Sequence, residues 1–482
     1  MLFNSLEFFA TFFCVVLLYY MIPRRTQWGY LLAVSYLYYL QTSSQYAILL
    51  LFSTVVTWGA ARWLECHKKG RKSCLTVCIV MHIGILVFFK YSQWLLDSVQ
   101  AVSNRLSWGI VMPEFTLLAP VGISFYIFKV VGYMIDVYRG KISAERNLGK
   151  YALFVSFFPQ IVSGPIERSY NFLPQMEKGH YFNYDTVKNG FLIFLWGLLK
   201  KIVIADRLAL LVDQVFNNVA EYNTPAYIIA MLFFAMQIYF DFAGYSDMAI
   251  GVAEMLGIAT VKNFDRPYFA KSVGEFWRRW HMSLSTWFRD YLYIPLGGNR
   301  VSKTRWAMNT MIVFLASGLW HGSNWTFFVW GALHGIYQVI GKFTRKGKDK
   351  VLEIIRLKKE SQFYGILATG ITFVLVTYAW MFFRANTIHD ALWITKSLIV
   401  WDFAGFDVWS LGMGKQDFIF SIVLIIGWFV IEAVQGKVYL RTWLQERCLP
   451  IRWGIYLLIM FTCIMFGIYG DLAASSFIYF QF

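Results

Sequence analysis

Two of the seven histidines in this 482-residue chain, His321 and His334, stand inside GLWHGSNWTFFVWGALHG (318–335), a stretch otherwise suited to lipid or a buried core. Charging an imidazole there costs its hydration, so burial is expected to keep His321 neutral at physiological pH. A neutral imidazole carries a lone pair that can take a proton, which is the chemistry of a general base acting on a hydroxyl. A third histidine, His281, lies in EFWRRWHMSLSTWFRDY (275–291) directly after Arg278, Arg279 and Trp280. Guanidinium groups pair well with phosphate oxygens, so the two arginines suit the phosphates of a donor or the headgroups of lipids. On one straight helix His321 and His334 would point about 140° apart and stand roughly 20 Å apart in height, too far for a local metal pair.

The elements that must hold these groups are membrane helices. A hydrophobic content of 58% and a mean hydropathy of +0.50 exceed what a water-solvated surface tolerates. A bilayer crossing takes about 20 mostly apolar residues, and windows near 5–22, 46–63, 74–95, 365–384, 417–434 and 452–470 supply them. With weaker windows included, about ten or eleven crossings are expected, giving an all-α polytopic protein. The first window lacks a basic leader and a cleavage site and is expected to remain as the first membrane helix. No linker, low-complexity tract or fixed-period repeat divides the chain, which implies a single membrane-embedded domain over 1–482 with its catalytic core at about 113–342.

The formal charge of +16 is carried by short blocks between the apolar windows: Arg24 and Arg25, HKKGRK at 67–72, Arg139 to Lys150, and GKFTRKGKDK at 341–350. Such blocks follow the positive-inside rule and do not form the continuous basic face that nucleic acid requires. Three helices before the 67–72 block and an outward loop at about 96–112 place both termini outside the cytoplasm. Cys14, Cys66, Cys74, Cys78, Cys448 and Cys463 lie in or beside apolar spans without zinc spacing, and are expected to be small buried hydrophobes.

The middle third departs from plain spans. From about 151 to 306 the apolar runs are broken by PQIVSGPIERS, LLKKIVIADR, DFAGYSD and NFDRP. Irregular or charged backbone survives at membrane depth only inside protein or along a wet cavity, which predicts a re-entrant centre. DFAGYSDMAIGVAEMLGI (241–258) is expected to break at Gly244 and restart as a helix capped by Ser246 or Asp247. In 275–291, aromatic and cationic residues fall on opposite arcs of a helical wheel, which predicts an amphipathic helix in the headgroup region with His281 at its seam, near Arg278 and Ser285. Gly318 and Gly322 are expected to leave backbone room beside Trp320 and His321, at a helix end followed by a helix capped by Ser323 or Asn324. His334 falls within that second helix.

No GxSxG elbow, Walker loop or placed GxGxxG occurs. HYFNYD (180–185) has the His and Asp spacing of soluble glycerolipid acyltransferases, but in an aromatic loop without that family's surroundings, and is taken as chance. In contrast, VGISFYIFKVVGYMIDVYRGKI, FFPQIVSGPIER, IYFDFAGYSDMAIG, FWRRWHMSLSTWFRDYLYIPLGGNR, GLWHGSNWTFFVWGALHG and the closing FIYFQF together resemble the membrane-bound O-acyltransferase family. The likeness covers nearly the whole chain and is greatest to the branch that holds the membrane subunit of alginate O-acetyltransferase. It implies tilted helices ringed around a thin, funnel-like centre in the cell membrane. It further implies acyl transfer with His321 as the principal catalytic residue and His281 as the second polar position, orienting the donor or stabilising the oxyanion through its N–H.

The same resemblance implies no bound cofactor, a cytosolic acyl thioester such as acetyl-CoA as donor substrate, a polysaccharide acceptor outside, and an extracytoplasmic, esterase-like partner that receives the acetyl group. Substrate contacts are expected from Arg278, Arg279, Trp280, Ser285, Trp320, Asn324, Ser246 and Asp247. D-alanyl transfer to lipoteichoic acid is the alternative carried by the same two motifs. A transporter without covalent chemistry would instead show paired broken helices in the two halves, and the interrupted segments cluster only once.

Overall fold

The computed structural model describes residues 3–113, 119–436, 440–469 and 477–478, so that the last four residues of FIYFQF lie outside the described residues. Among the described residues every regular element is helical. Arg24–Cys66, Arg71–Arg105, Thr224–Met255, Gln362–Arg384, Lys415–Gln435 and Leu449–Phe466 are long and apolar enough to cross a membrane, and Leu6–Met21 is a shorter apolar helix. The chain is therefore an all-α, multi-pass membrane protein. Fewer segments meet that test than the ten or eleven crossings expected, because helices such as Ile123–Tyr138 are short. Others, such as Lys303–His321, mix polar with apolar side chains.

Three helices, Leu6–Met21, Gln27–Ser43 and Ala47–Cys66, precede the basic block at 67–72, as its position required. The next helix, Arg71–Arg105, runs 35 residues and takes up most of the stretch expected to be an outward loop. At about 1.5 Å per residue it outreaches a hydrocarbon core of about 30 Å. Only Cys78 and Cys463 are buried, whereas Cys14, Cys66 and Cys448 are exposed, so the expectation of six buried thiols fails where a helix turns its face outward.

The helices group into two compact units. The first comprises Met1–Phe191, Ala249–Lys262 and Thr286–Leu292. Here Gln27–Ser43 packs on Leu148–Ser156, and Ile123–Tyr138 packs between Ala47–Cys66 and Arg71–Arg105. Residues 157–168, the FFPQIVSGPIER stretch, have no helix and are buried throughout, which is the irregular backbone inside protein that the sequence predicted. Two of its side chains are anchored: Gln160 Oε1 accepts from the Lys129 ammonium at 2.9 Å, which also donates to Phe154 O at 3.0 Å. The Glu167 carboxylate accepts from the backbone amides of Arg168 and Val261.

The second unit comprises Leu192–Met248, Asn263–Ser285 and Tyr293–Phe482. Its centre is a helical hairpin, Lys303–His321 and Trp325–Phe343, with Gln362–Arg384 packed on the second arm. The hairpin closes on glycine: a Cβ at Gly318 would stand 2.4 Å from Phe327 O, and one at Gly331 2.4 Å from Phe314 O. Gly322 would likewise drive a Cβ into the Phe327 ring. These glycines serve the helix crossing and the turn; they are not spare room beside the imidazole.

The expected break at Gly244 does not occur. Thr224–Met255 is one continuous helix of 32 residues. Gly244 is needed because the backbone of Gly197 passes against it, within 2.8 Å of where a Cβ would sit. Ser246 and Asp247 therefore cap nothing. Asp247 pairs with Lys200, and Asp241 with Lys201, both from the π-helical turn Leu199–Ala205. Lys201 also holds Asp206 at 2.8 Å, and Asp241 accepts the amide of Ile478 at 2.9 Å. Charged groups in so apolar a setting are kept only in pairs.

Candidate active site

The amphipathic helix expected over 275–291 is two short helices, Val273–Arg279 and Met282–Phe288, followed by a π turn, Arg289–Tyr293. The break falls at Trp280 and His281. His281 adopts φ +43°, left-handed backbone that a residue with a Cβ rarely enters and that costs on the order of 1–3 kcal/mol. Burial defeats the interfacial reading: Trp280 and His281 are both wholly buried, and the aromatic arc packs on protein. Trp280 lies 4.9 Å from Trp380 and 5.1 Å from Phe264, ring centre to ring centre.

NFDRP is the brace of this break. The amide of Met282 donates to Asn263 O, and that of Asp265 to Arg279 O, so the two segments run side by side. The Asn263 side chain reaches into the kink. Its Oδ1 accepts from the Ser283 amide (3.2 Å) and the Ser283 hydroxyl (2.9 Å) and lies 3.1 Å from His281 Nδ1. Its Nδ2 donates to Ser246 Oγ at 3.0 Å. Phe242 meets the His281 ring edge to face at 4.6 Å. Complete burial among these groups lowers the His281 pKa to about 3, because its cation would lose its hydration.

His321 ends the first hairpin helix, and the extended backbone of Gly322 follows it. Asn324 caps the second helix by accepting from the Thr326 amide at 3.0 Å. His321 was expected at this helix end, and it is there. It retains 4% exposure inside a cage of Trp320, Trp330 and Phe383, whose ring centres lie 4.9, 5.0 and 5.4 Å away. The His281 and His321 rings are 6.5 Å apart, a separation that one oxygen atom can span with a hydrogen bond of about 2.8 Å to each. Two imidazoles 40 residues apart in sequence thus come close together, with Trp320 against both.

The other expected contacts divide. Arg278 is exposed and able to meet an anionic group, whereas Arg279 is engaged by Glu275 at 2.6 Å and by the carbonyl of Arg266. Ser285 donates to Trp280 O and staples the kink. Asn324 donates to Asn386 O besides capping its helix. Ser246 acts through Asn263, and Asp247 is committed to Lys200. His334, one layer away, accepts from the Trp277 indole at 3.1 Å and belongs to the aromatic core.

Residues 72–388 match the membrane-bound O-acyltransferase family. The chain belongs to that family. Among curated relatives it is 38% identical to the probable alginate O-acetylase AlgI of Azotobacter vinelandii, over 82% of this chain and 77% of the relative. It is 33% identical to the peptidoglycan O-acetyltransferase of Helicobacter pylori, over 77% and 73%. It is 29% identical to the teichoic acid D-alanyltransferase of Bacillus subtilis, over 58% and 71%. This membrane-bound O-acyltransferase therefore carries the histidines of both motifs in one buried candidate site, 6.5 Å apart. Asn263, Ser283, Trp330 and Phe383 complete that site and were not singled out in sequence. NFDRP stood out only as an interruption, and nothing in its spacing linked Asn263 to a histidine 18 residues on.

Proposed function

We propose that this O-acyltransferase takes an acetyl group from a cytosolic thioester, acetyl-CoA, and passes it to a cell-surface polysaccharide outside the cytoplasmic membrane by way of an esterase-like partner protein. The observation that carries the reading is the pair of buried imidazoles 6.5 Å apart, in a family that transfers acyl groups. His321 acts as general base: as the acceptor oxygen attacks the thioester carbonyl, the imidazole takes the hydroxyl proton, the C–S bond breaks, and the proton passes to the departing thiolate. General-base help of this kind is worth about 10²- to 10⁴-fold. His281 orients the substrates beside it, the aromatic walls exclude water that would hydrolyse the ester, and Arg278 meets the donor's phosphates.

Acetyl transfer is preferred over D-alanyl transfer because the acetyl-transferring relatives match more of the chain, 77–82% against 58%. A basic cytoplasmic side and termini outside the cytoplasm suit a donor that stays inside while only the acetyl group crosses. The test is transfer of radiolabel from acetyl-CoA by the purified chain in lipid nanodiscs with its partner. The wild type should label the acceptor, and His321→Ala should lose about 10²-fold or more at equal expression. Undiminished labelling by His321→Ala would reject the base, and labelling from a D-alanyl carrier in place of acetyl-CoA would favour the teichoic acid reading.

A further inference from the structure

The orientation of the Asn263 amide is set by a group that can only donate. The backbone N–H of Ser283 points at the amide atom 3.2 Å away, so that atom is the carbonyl oxygen, with the NH2 turned to Ser246 Oγ. The same oxygen faces His281 Nδ1 at 3.1 Å. A carbonyl oxygen has lone pairs and no proton to give, so Nδ1 must carry the hydrogen. A neutral imidazole has one N–H, and the lone pair of His281 therefore sits on Nε2.

We propose that Asn263 is a positioning residue that holds His281 as the Nδ1–H tautomer, so that Nε2 carries a lone pair and gives no hydrogen bond to an oxyanion. This rests on the acyl-transfer reading above and excludes one role that the family resemblance implied: an oxyanion cannot be met by His281 through an N–H that Asn263 already holds. The Asn263 main-chain carbonyl accepts the amide of Met282, next to the φ +43° backbone of His281, so the asparagine is fixed beside the ring through its backbone as well as its side chain.

The experiment uses the full chain in lipid nanodiscs with 15N-labelled histidine, the His281 signals being identified by their loss in His281→Gln. A pyrrole-type Nδ1 and a pyridine-type Nε2 are expected in the wild type; a pyrrole-type Nε2 overturns the proposal. Asn263→Leu removes the acceptor and should release the other tautomer and lower kcat by about 10²- to 10⁴-fold, the range that a wrongly held catalytic imidazole costs. Asn263→Asp keeps an oxygen opposite Nδ1 and should retain the wild-type tautomer and most of the activity that Asn263→Leu loses. An Asn263→Leu protein with both wild-type tautomer and wild-type kcat overturns the proposal. If that variant does not fold, the wild-type and Asn263→Asp spectra decide. Should the wild type transfer no acetyl group, the proposed function fails while the spectrum still decides the tautomer.

Discussion

At the scale of single residues, the candidate site is made by burying two imidazoles and fixing one of them, His281, with a neutral hydrogen bond. His281 shows the consequence most directly, since complete burial holds its pKa near 3 while an exposed histidine titrates near 6.5. Between those two values the unfolded chain binds a proton that the folded chain refuses, so this residue makes stability fall as the pH is lowered through that window. The effect is on the order of 1 kcal/mol per pH unit below about 6.5. Thermal melting of the wild type should therefore decline from pH 7 to pH 5, with a shallower slope in His281→Asn, and the His281 nitrogen resonances should stay unchanged over the same range. A proton bound at His281 above pH 5 would contradict the burial seen here. Of the residues concerned, His281 and His321 were legible in sequence because a titratable group amid apolar ones is conspicuous. Asn263 was not, because an asparagine in a polar loop looks like any other until its oxygen is seen between a backbone amide and a ring.

At the scale of elements, close approach of backbones decides the geometry. The hairpin that carries His321 crosses at Gly318 and Gly331, where any side chain would meet a carbonyl at 2.4 Å. Gly331→Ala should therefore destabilise by about 1–3 kcal/mol, read as a lowered melting temperature with a matching loss of activity. Gly341, at the far end of the second arm, has nothing within 4 Å of a built Cβ. Gly341→Ala should be neutral or stabilising by up to about 1 kcal/mol, as expected for alanine in a helix. Equal effects at both positions would show that crossing distance is not what Gly331 serves. The same physics explains the failed break at Gly244. In sequence a glycine before Ser and Asp suggests a turn and a cap, but here the glycine admits a neighbouring helix and the acid pairs with Lys200. The kink at His281 misled in the opposite direction. A wheel pattern suggested one continuous helix, and only the brace of Asn263 and the left-handed φ reveal two.

At the scale of the whole molecule, topology follows from charge and apolarity. The exposed Cys66 ends the third helix, next to the basic block at 67–72 that the positive-inside rule assigns to the cytoplasm. A variant retaining only Cys66 should react with an impermeant maleimide in inverted vesicles and stay unreacted in intact spheroplasts; the reverse pattern would turn the proposed topology over.

Sequence by itself determined the all-α membrane class, the long apolar spans, the helix end at His321 and the family, since these depend on local apolarity, capping and motif. Tertiary structure alone decided that His281 and His321 come within 6.5 Å of each other, that Asn263 lies against the ring of one of them, and that the aromatic arc of 275–291 is buried in protein. Those facts depend on which distant segments are packed together, because a buried imidazole must find its hydrogen-bond partner across space from a segment that sequence does not place beside it.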